Sequence, residues 1–383
     1  MSIEEQWAIS EKRLLEEEAD SFGEVLELLR GRMSPLLIGG QDWEGLLGRA
    51  RELPATMAAF PFGFELPLHE RRPRADLGVS VVGGSGTAAF FVERGRTDDA
   101  DQSAMGISQL VRCREQEEAP LRQIIGTKMM LEYDIDSSPR AAYSDPGFFL
   151  RPAERPIIGD GADQRFQDIG VVYDALASAA GWNPDPVERR QVEQVYRALN
   201  PDTYIESFGV FPSRDRALRL TLAGFRKKHD VMEFLERTGW RGQYSVVDST
   251  VSRFEKRSAF VNMAVHFDVR ASGLGPTLGL SFLTKDRKAK DPRYWVDTPQ
   301  QWTVLLDCIR EEGLAVPEKL SEMANWQSGA ETLFGSSGNF VLMRGIHHIK
   351  LVLEGDRFGQ VKAYIFLLVC SWPQDTERKV LST

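Results

Sequence analysis

The 383-residue sequence predicts a fold of the α/β class: a closed antiparallel barrel of about ten strands with helices outside. Three observations carry this. Strand-like segments come in pairs, five times over, each pair following a helix-like stretch. In the clearest pairs one alternating face is aliphatic and the other carries polar and charged groups. Helical stretches return the chain after each hairpin, whereas a parallel sheet needs a crossover after every strand. An open sheet would leave the polar faces in water, while a closed sheet folds them into a lumen.

The elements follow in chain order. A helix near residues 9–30 leads in, so that residues 1–75 form an N-terminal helical segment ahead of the barrel. The first pair is read at residues 77–84 and 87–93, split by a hairpin turn at Gly83-Gly84-Ser85-Gly86. A helix at 104–123 leads to the second pair, at 128–136 and near 147–150. Helices at 167–180 and 187–199 precede the third, at 203–211 and 217–225, joined by Pro212-Ser213-Arg214-Asp215-Arg216. A helix at 229–256 precedes the fourth, at 260–269 and 277–283. A helix at 299–323 precedes the fifth, at 349–353 and 361–367, where Gly355 marks the turn. No Gly/Ser/Pro-rich linker interrupts the chain, so residues 1–383 are read as one domain. The stretch 137–163 reads as an elaborated connection, and 284–295 as a charged loop that is either solvated or a phosphate-gripping lid.

Composition narrows the function. A net charge of −9 and the lack of a basic stripe argue against a nucleic-acid partner. No 18-residue apolar run and no basic-then-apolar leader occurs, which points to a cytoplasmic protein with no membrane partner. Cys113, Cys308 and Cys370 are odd in number and widely spaced, as expected of reduced thiols used in packing. No Walker loop, CxxC, HExxH or GxSxG motif is present. His347-His348 is a poor zinc pair, because strand neighbours point to opposite faces. Asp134-Ile135-Asp136 resembles a metal-binding acidic motif but has no second acidic motif to complete it. No cofactor is fixed by the sequence, and Mg²⁺ is the one metal considered.

Taking the more aliphatic face of each strand as outward places specific groups in the lumen. These are Lys128, Met130, Glu132, Asp134 and Asp136 on the third strand, and Arg219, Thr221 and Ala223 on the sixth. The seventh contributes Asn262, Ala264, His266 and Asp268, and the eighth Gly279 and Ser281. The last two add His348, Lys350, Lys362, Tyr364 and Phe366. The fifth strand is ambiguous, since Tyr204, Glu206 and Phe208 alternate with Ser207 and Gly209. Such a lumen is either an internal salt-bridge network or a chamber for a charged substrate.

Strand pairs alternating with helices in about five αββα units, with Lys362-Ala363-Tyr364 on a lumen-facing strand, resemble the aromatic prenyltransferases of the ABBA, or prenyltransferase-barrel, type. The related branch that modifies peptide side chains shares this architecture. The resemblance implies transfer of an allylic prenyl group from a diphosphate to an aromatic small molecule or a peptide side chain, within natural-product biosynthesis or peptide maturation, by a monomer or homodimer. By the same resemblance Lys350, Lys362 and Arg219 would grip the diphosphate, Tyr364 would shield the carbocation, and Glu132 would serve the acceptor. At the places equivalent to Lys-x-Tyr, the sixth and eighth strands carry Arg219-Leu220-Thr221 and Gly279-Leu280-Ser281. Two other readings use the same chamber. One is a hydrolase or isomerase built around Glu132, Asp134, His266 and His348; the other is a non-catalytic binding protein. Across these readings Glu132, Asp134 and His266 are the catalytic candidates, and Asn262 and His348 join Arg219, Lys350, Lys362 and Tyr364 as substrate-binding candidates.

Overall fold

The computed structural model describes residues 3–17, 19–98, 100–135, 145–153, 157–158, 163–285, 299–326, 329–336 and 338–371. Ten strands close into a barrel: β1 (Phe62–Pro67), β2 (Asp76–Val82), β3 (Ile125–Tyr133), β4 (Gly147–Pro152), β5 (Tyr204–Val210), β6 (Leu218–Phe225), β7 (Asn262–Arg270), β8 (Leu278–Leu283), β9 (Asn339–Glu354) and β10 (Arg357–Ser371). Each strand pairs antiparallel with the next in sequence, and β10 pairs back onto β1, so the ring has no open edge. The closing register sets Phe62 opposite Leu367 and Glu65 opposite Tyr364. Short strands at Ile157–Ile158, Gly273–Leu274 and Gly329–Phe334 extend the sheet beside β5, β7 and β9.

Alternation builds both layers. Leu218, Leu220 and Leu222 of β6, Met263, Val265 and Phe267 of β7, and Ile349, Leu351 and Leu353 of β9 are all buried against the surrounding helices. The helical ring comprises α1 (Ile3–Leu15), α2 (Phe22–Glu27), α3 (Gly40–Ala50), α4 (Gly86–Arg94), α5 (Gln102–Glu115), α6 (Pro120–Ile124), α7 (Asp163–Ala179), α8 (Pro186–Ala198), α9 (Lys228–Thr238), α10 (Tyr244–Lys256), α11 (Thr303–Glu311) and α12 (Pro317–Asn325). The apolar layer between barrel and helices is one continuous core running from Leu14 to Val369.

The structure corrects the first hairpin. Residues 87–93 are not a strand: they lie in α4, which buries Thr87, Ala88 and Phe91 at helical spacing. Gly83-Gly84-Ser85-Gly86 is accordingly no hairpin turn. Gly84, at φ 76°, turns the chain, and Ser85 is the N-cap of the helix. Carboxylates from elsewhere fill this helix start, Glu11 accepting from the Gly86 N–H at 2.8 Å and Glu115 from the Gly84 N–H at 3.0 Å. The partner of β2 is instead β1, inside the stretch expected to be helical. It is held at its end by the buried Lys319 ammonium, which donates to the Pro67 and Arg72 carbonyls, each at 2.7 Å. The expected helix at 229–256 is two helices, because Gly239 takes the left-handed conformation (φ 63°) that ends α9. The charged loop expected at 284–295 lies outside the described residues beyond Lys285, as do most of 137–146 and 154–162.

Candidate active site

The lumen gathers the expected groups and one that was not expected. Glu65 on β1 is 5% exposed and pairs with Lys362 on β10, Nζ to Oε1 at 2.5 Å. The Tyr364 hydroxyl donates to the other Glu65 oxygen, and the Lys350 ammonium donates to the Tyr364 hydroxyl. Lys350 and Lys362 are direct cross-strand partners, so both ammonium groups enter one chamber. Lys350 also lies over the Tyr364 ring, Nζ at 4.6 Å from its centroid. His348 stacks on that ring at 4.2 Å, and His266 stacks on His348 at 6.2 Å.

The strand phases explain this convergence. A register shift between Ile346 and His348 changes the phase of β9, so that His348 faces Tyr364 and His347 turns beside it, their Nδ1 atoms 2.7 Å apart. The simple alternation rule, which puts neighbours on opposite faces, fails here for that reason. A second shift, between Ile205 and Ser207 of β5, removes the ambiguity of that strand: Ser207 and Gly209 share the lumen face with Thr221 and Arg219, while Ile205 and Phe208 are buried among the helices. Gly279 on β8 leaves room where a Cβ would come within 3.2 Å of His266 and 3.3 Å of the Lys350 chain.

Arg219 grips Asp268 with both arms of its guanidinium, at 2.9 and 3.3 Å. Asp134 lies toward the rim, held by Arg214 at 2.5 to 3.0 Å, and Asp136 lies outside the described residues. Both ring nitrogens of His266 meet hydroxyls, Thr221 at 3.1 Å and Ser281 at 2.7 Å. Asn262 stands on the lumen side at the opposite end of β7 from Asp268, its Oδ1 buried and without a hydrogen-bond partner among the described residues. Lys128 sits at that same end, across from Val82 of β2, well away from Lys350 and Lys362. Glu132 faces the chamber opposite Gly78, and no hydrogen bond or ion pair from a described residue is recorded at its carboxylate. A Cβ on Gly78 would meet nothing closer than 3.8 Å, so the chamber is open beside Glu132.

The electrostatics separate the carboxylates. Burial opposes the charge on Glu65, but the Lys362 and Lys350 ammonium groups overcome it and hold the carboxyl well below the usual range. Glu132 is pushed up by burial and then by the Glu65 charge. Asp76, cross-strand from Glu65 and accepting from the Ile135 N–H at 2.9 Å, is pushed up to about 7 by burial and by Glu65. Burial lowers Lys350 to about 8, with Glu65 opposing, and lowers Lys128 to about 7. His266 is driven well below its ordinary value by burial and by Lys350, which keeps the ring neutral.

Asp76 gives a direct check on this ordering. Its folded carboxyl holds a proton that the unfolded chain gives up near pH 4, so the Asp76 contribution to stability falls as pH rises to about 7. Asp76→Asn removes that loss. Urea unfolding is expected to show the variant gaining on the wild type between pH 4 and pH 7, with the gain level above pH 7. A constant difference across that range would show that Asp76 is not the high-pKa member of the cluster.

Among the described residues no three His, Cys, Asp or Glu side chains cluster as a metal site, and no helix is long and apolar enough to cross a membrane. Comparison with solved structures finds the apo form of the prenyltransferase PriB, at TM-score 0.52 and 13% identity, covering 91% of this chain and 96% of that one. The barrel is a prenyltransferase barrel. The 6-dimethylallyltryptophan synthase of Micromonospora olivasterospora, in complex with DMASPP and Trp, overlays with TM-score 0.47 at 13% identity, over 91% of this chain and 95% of that one. The 5-dimethylallyltryptophan synthase of Streptomyces coelicolor gives 0.46 at 12%, over 91% and 97%. No protein-family model and no curated relative matches the sequence.

Within the prenyltransferase barrel, the residues expected at the chamber separate into two groups. Lys350, Lys362, Tyr364, His348, His266, Arg219 and Glu132 line one connected region, while Asn262 and Lys128 stand at the other end and Asp134 is engaged at the rim. Glu65 was missed because its strand is short and bounded by Pro61 and Pro67. Its signal is nevertheless present in the alternation of Phe62, Phe64 and Leu66 against Gly63 and Glu65.

Proposed function

We propose that this barrel transfers an allylic prenyl group from a diphosphate to an aromatic acceptor. One observation supports the reading above the others: a half-buried carboxylate with a raised pKa, Glu132, shares a chamber with Lys350, Lys362, Arg219 and the Tyr364 ring. In the proposed reaction the C1–O bond of the allylic diphosphate breaks and its electron pair leaves with pyrophosphate. Lys350, Lys362 and Arg219 stabilise that developing charge, and Tyr364 presents its face to the allylic cation while excluding water. The cation's C1 then bonds to a nucleophilic carbon of the acceptor, and the proton lost from that ring passes to Glu132, whose raised pKa suits it to receive one. His266, kept neutral between two hydroxyls, positions the chamber wall. The fold shared with a named prenyltransferase favours this reading.

The test is binding of dimethylallyl and geranyl thiodiphosphates, followed by thermal shift. A ligand at 100 times its dissociation constant stabilises the folded state by about 2.7 kcal/mol. The stabilisation is expected to weaken as pH rises through about 8, where Lys350 loses its proton in the free protein. No shift with either compound at millimolar concentration would overturn the proposal.

A second reading is favoured by a separate observation. Arg219, Arg214 and Lys362 already hold carboxylate partners, so the charges can serve a structural network around a chamber with another occupant. Inertness to every prenyl diphosphate would favour it.

A further inference from the structure

The end of the lumen opposite the Asp134–Arg214 rim holds a lysine that the reaction above does not use. Lys128 shares the inner face of β3 with Met130 and Glu132, in unbroken register with Val82, Ser80 and Gly78 of β2. Four residues of strand put it about 13 Å from Glu132. It is half-buried, and its Nζ has no hydrogen-bond or ion-pair partner among the described residues. The ladder is irregular at this point. The β3–β4 register slips between Ile125 and Met129, and Lys128 and Arg151 both fall within the slip.

The charges around Lys128 leave one positive charge unbalanced. From β2 come Val82 and Ser80, neither of which titrates. From β4 comes Arg151, which already holds the Glu206 carboxylate of β5. From the helix side, Arg114 of α5 donates to the Thr127 carbonyl next to it. Burial, with the Arg151 charge adding to it, lowers Lys128 to about 7. A second polar group at this end is also unmet: Asn262 of β7, whose Oδ1 is buried without a hydrogen-bond partner among the described residues. A cation kept inside a barrel without a partner is costly, and an anionic occupant removes that cost.

We propose that this end of the lumen binds a small organic carboxylate, whose head takes the Lys128 ammonium beside Arg151 and whose body lies along Met130. One unpartnered cation next to a neutralised Arg151–Glu206 pair matches a single negative charge, which favours a carboxylate over a phosphate dianion. The site is distinct from the chamber around Lys350, Lys362 and Glu132, and it does not depend on prenyl transfer.

The test is calorimetric titration of the full chain with hexanoate and benzoate at pH 6 and pH 8, each pH in two buffers of different ionisation enthalpy. Hexanamide and benzamide are the uncharged probes, and phenyl phosphate is the dianion. At least one carboxylate is expected to bind, with its amide and the dianion at least about tenfold weaker, as loss of a matched charge-assisted contact implies. Because the free amine titrates near pH 7, affinity should fall about tenfold from pH 6 to pH 8. Binding should take up close to one proton at pH 8 and almost none at pH 6. Lys128→Met should abolish both the affinity and the proton uptake, while Lys350→Gln should leave both intact. A ligand-free readout accompanies these: the unfolded chain keeps the Lys128 proton to higher pH than the folded one, so Lys128→Met should gain more stability over wild type at pH 6 than at pH 9. Failure of both carboxylates to bind, amides or phenyl phosphate binding as tightly, affinity equal at the two pH values, or the same stability difference at pH 6 and pH 9 would each overturn the assignment. Binding that survives Lys128→Met and is lost in Lys350→Gln would also overturn it, by placing the carboxylate among the other lysines.

Discussion

Glu65→Ala is expected to destabilise the protein by about 3 kcal/mol at pH 7, the cost of leaving two half-buried cations in one chamber without their shared partner. Glu65 accepts from Lys362 at 2.5 Å and from Tyr364, and through Tyr364 it anchors Lys350. Without it two neighbouring ammonium groups face each other across the β9–β10 pair. The pH dependence follows from the signs. The Glu65 contribution is present above the ordinary carboxyl range and is lost as pH falls below it, so the penalty is full near pH 7 and shrinks in acid; it also shrinks at high pH, where the Lys362 left without its partner gives up its proton more readily. Asp76 and Glu132, no longer pushed up by the Glu65 charge, ionise more readily and recover part of the loss. Urea unfolding at pH 7 and pH 9 reads both effects. A variant as stable as the wild type would mean that the lysines do not depend on Glu65.

Lys362→Ala is expected to lower prenyl-transfer turnover by roughly one to three orders of magnitude, because its ammonium stabilises the departing diphosphate more in the transition state than in the ground state. It should also cost about 3 kcal/mol of stability, since Glu65 loses its direct partner and keeps Lys350 through Tyr364. Stability alone therefore does not separate a catalytic chamber from a structural charge network. Affinity for a thiodiphosphate does: the catalytic account loses it in the variant, while a purely structural network has none to lose. Wild-type affinity retained in Lys362→Ala would remove this residue from the diphosphate site.

Most of the barrel was legible because its signal is local. Alternation in β3, β6, β7, β9 and β10 fixed both the strands and the side of each chain that faces the lumen, and Lys350, Lys362 and Tyr364 followed from that phase. The failures came where local signals conflict or where pairing is non-local. Thr87 to Glu93 mixes two β-branched residues and two aromatics with a helical burial pattern, and the Gly-Gly-Ser-Gly ahead of it serves a hairpin or a helix start equally well. Glu65 became part of the site only through the closure of β1 onto β10, a contact between residues almost three hundred positions apart. The bulges at Ile346 and Ile205 shift the phase with no turn residue to announce them. The ion pairs of Arg219 and Arg214 depend on side-chain reach across strands, which alternation does not fix.

Prenyl transfer in the lumen is tested most directly by pyrophosphate release from dimethylallyl diphosphate, followed with and without a panel of indole and phenol acceptors. The account predicts release that depends on acceptor, is matched by a product heavier by one prenyl unit, and is lost in Lys362→Ala and Glu132→Gln. Release that ignores the acceptor, or none at any acceptor while the folded protein also fails to bind the thiodiphosphates, would contradict it.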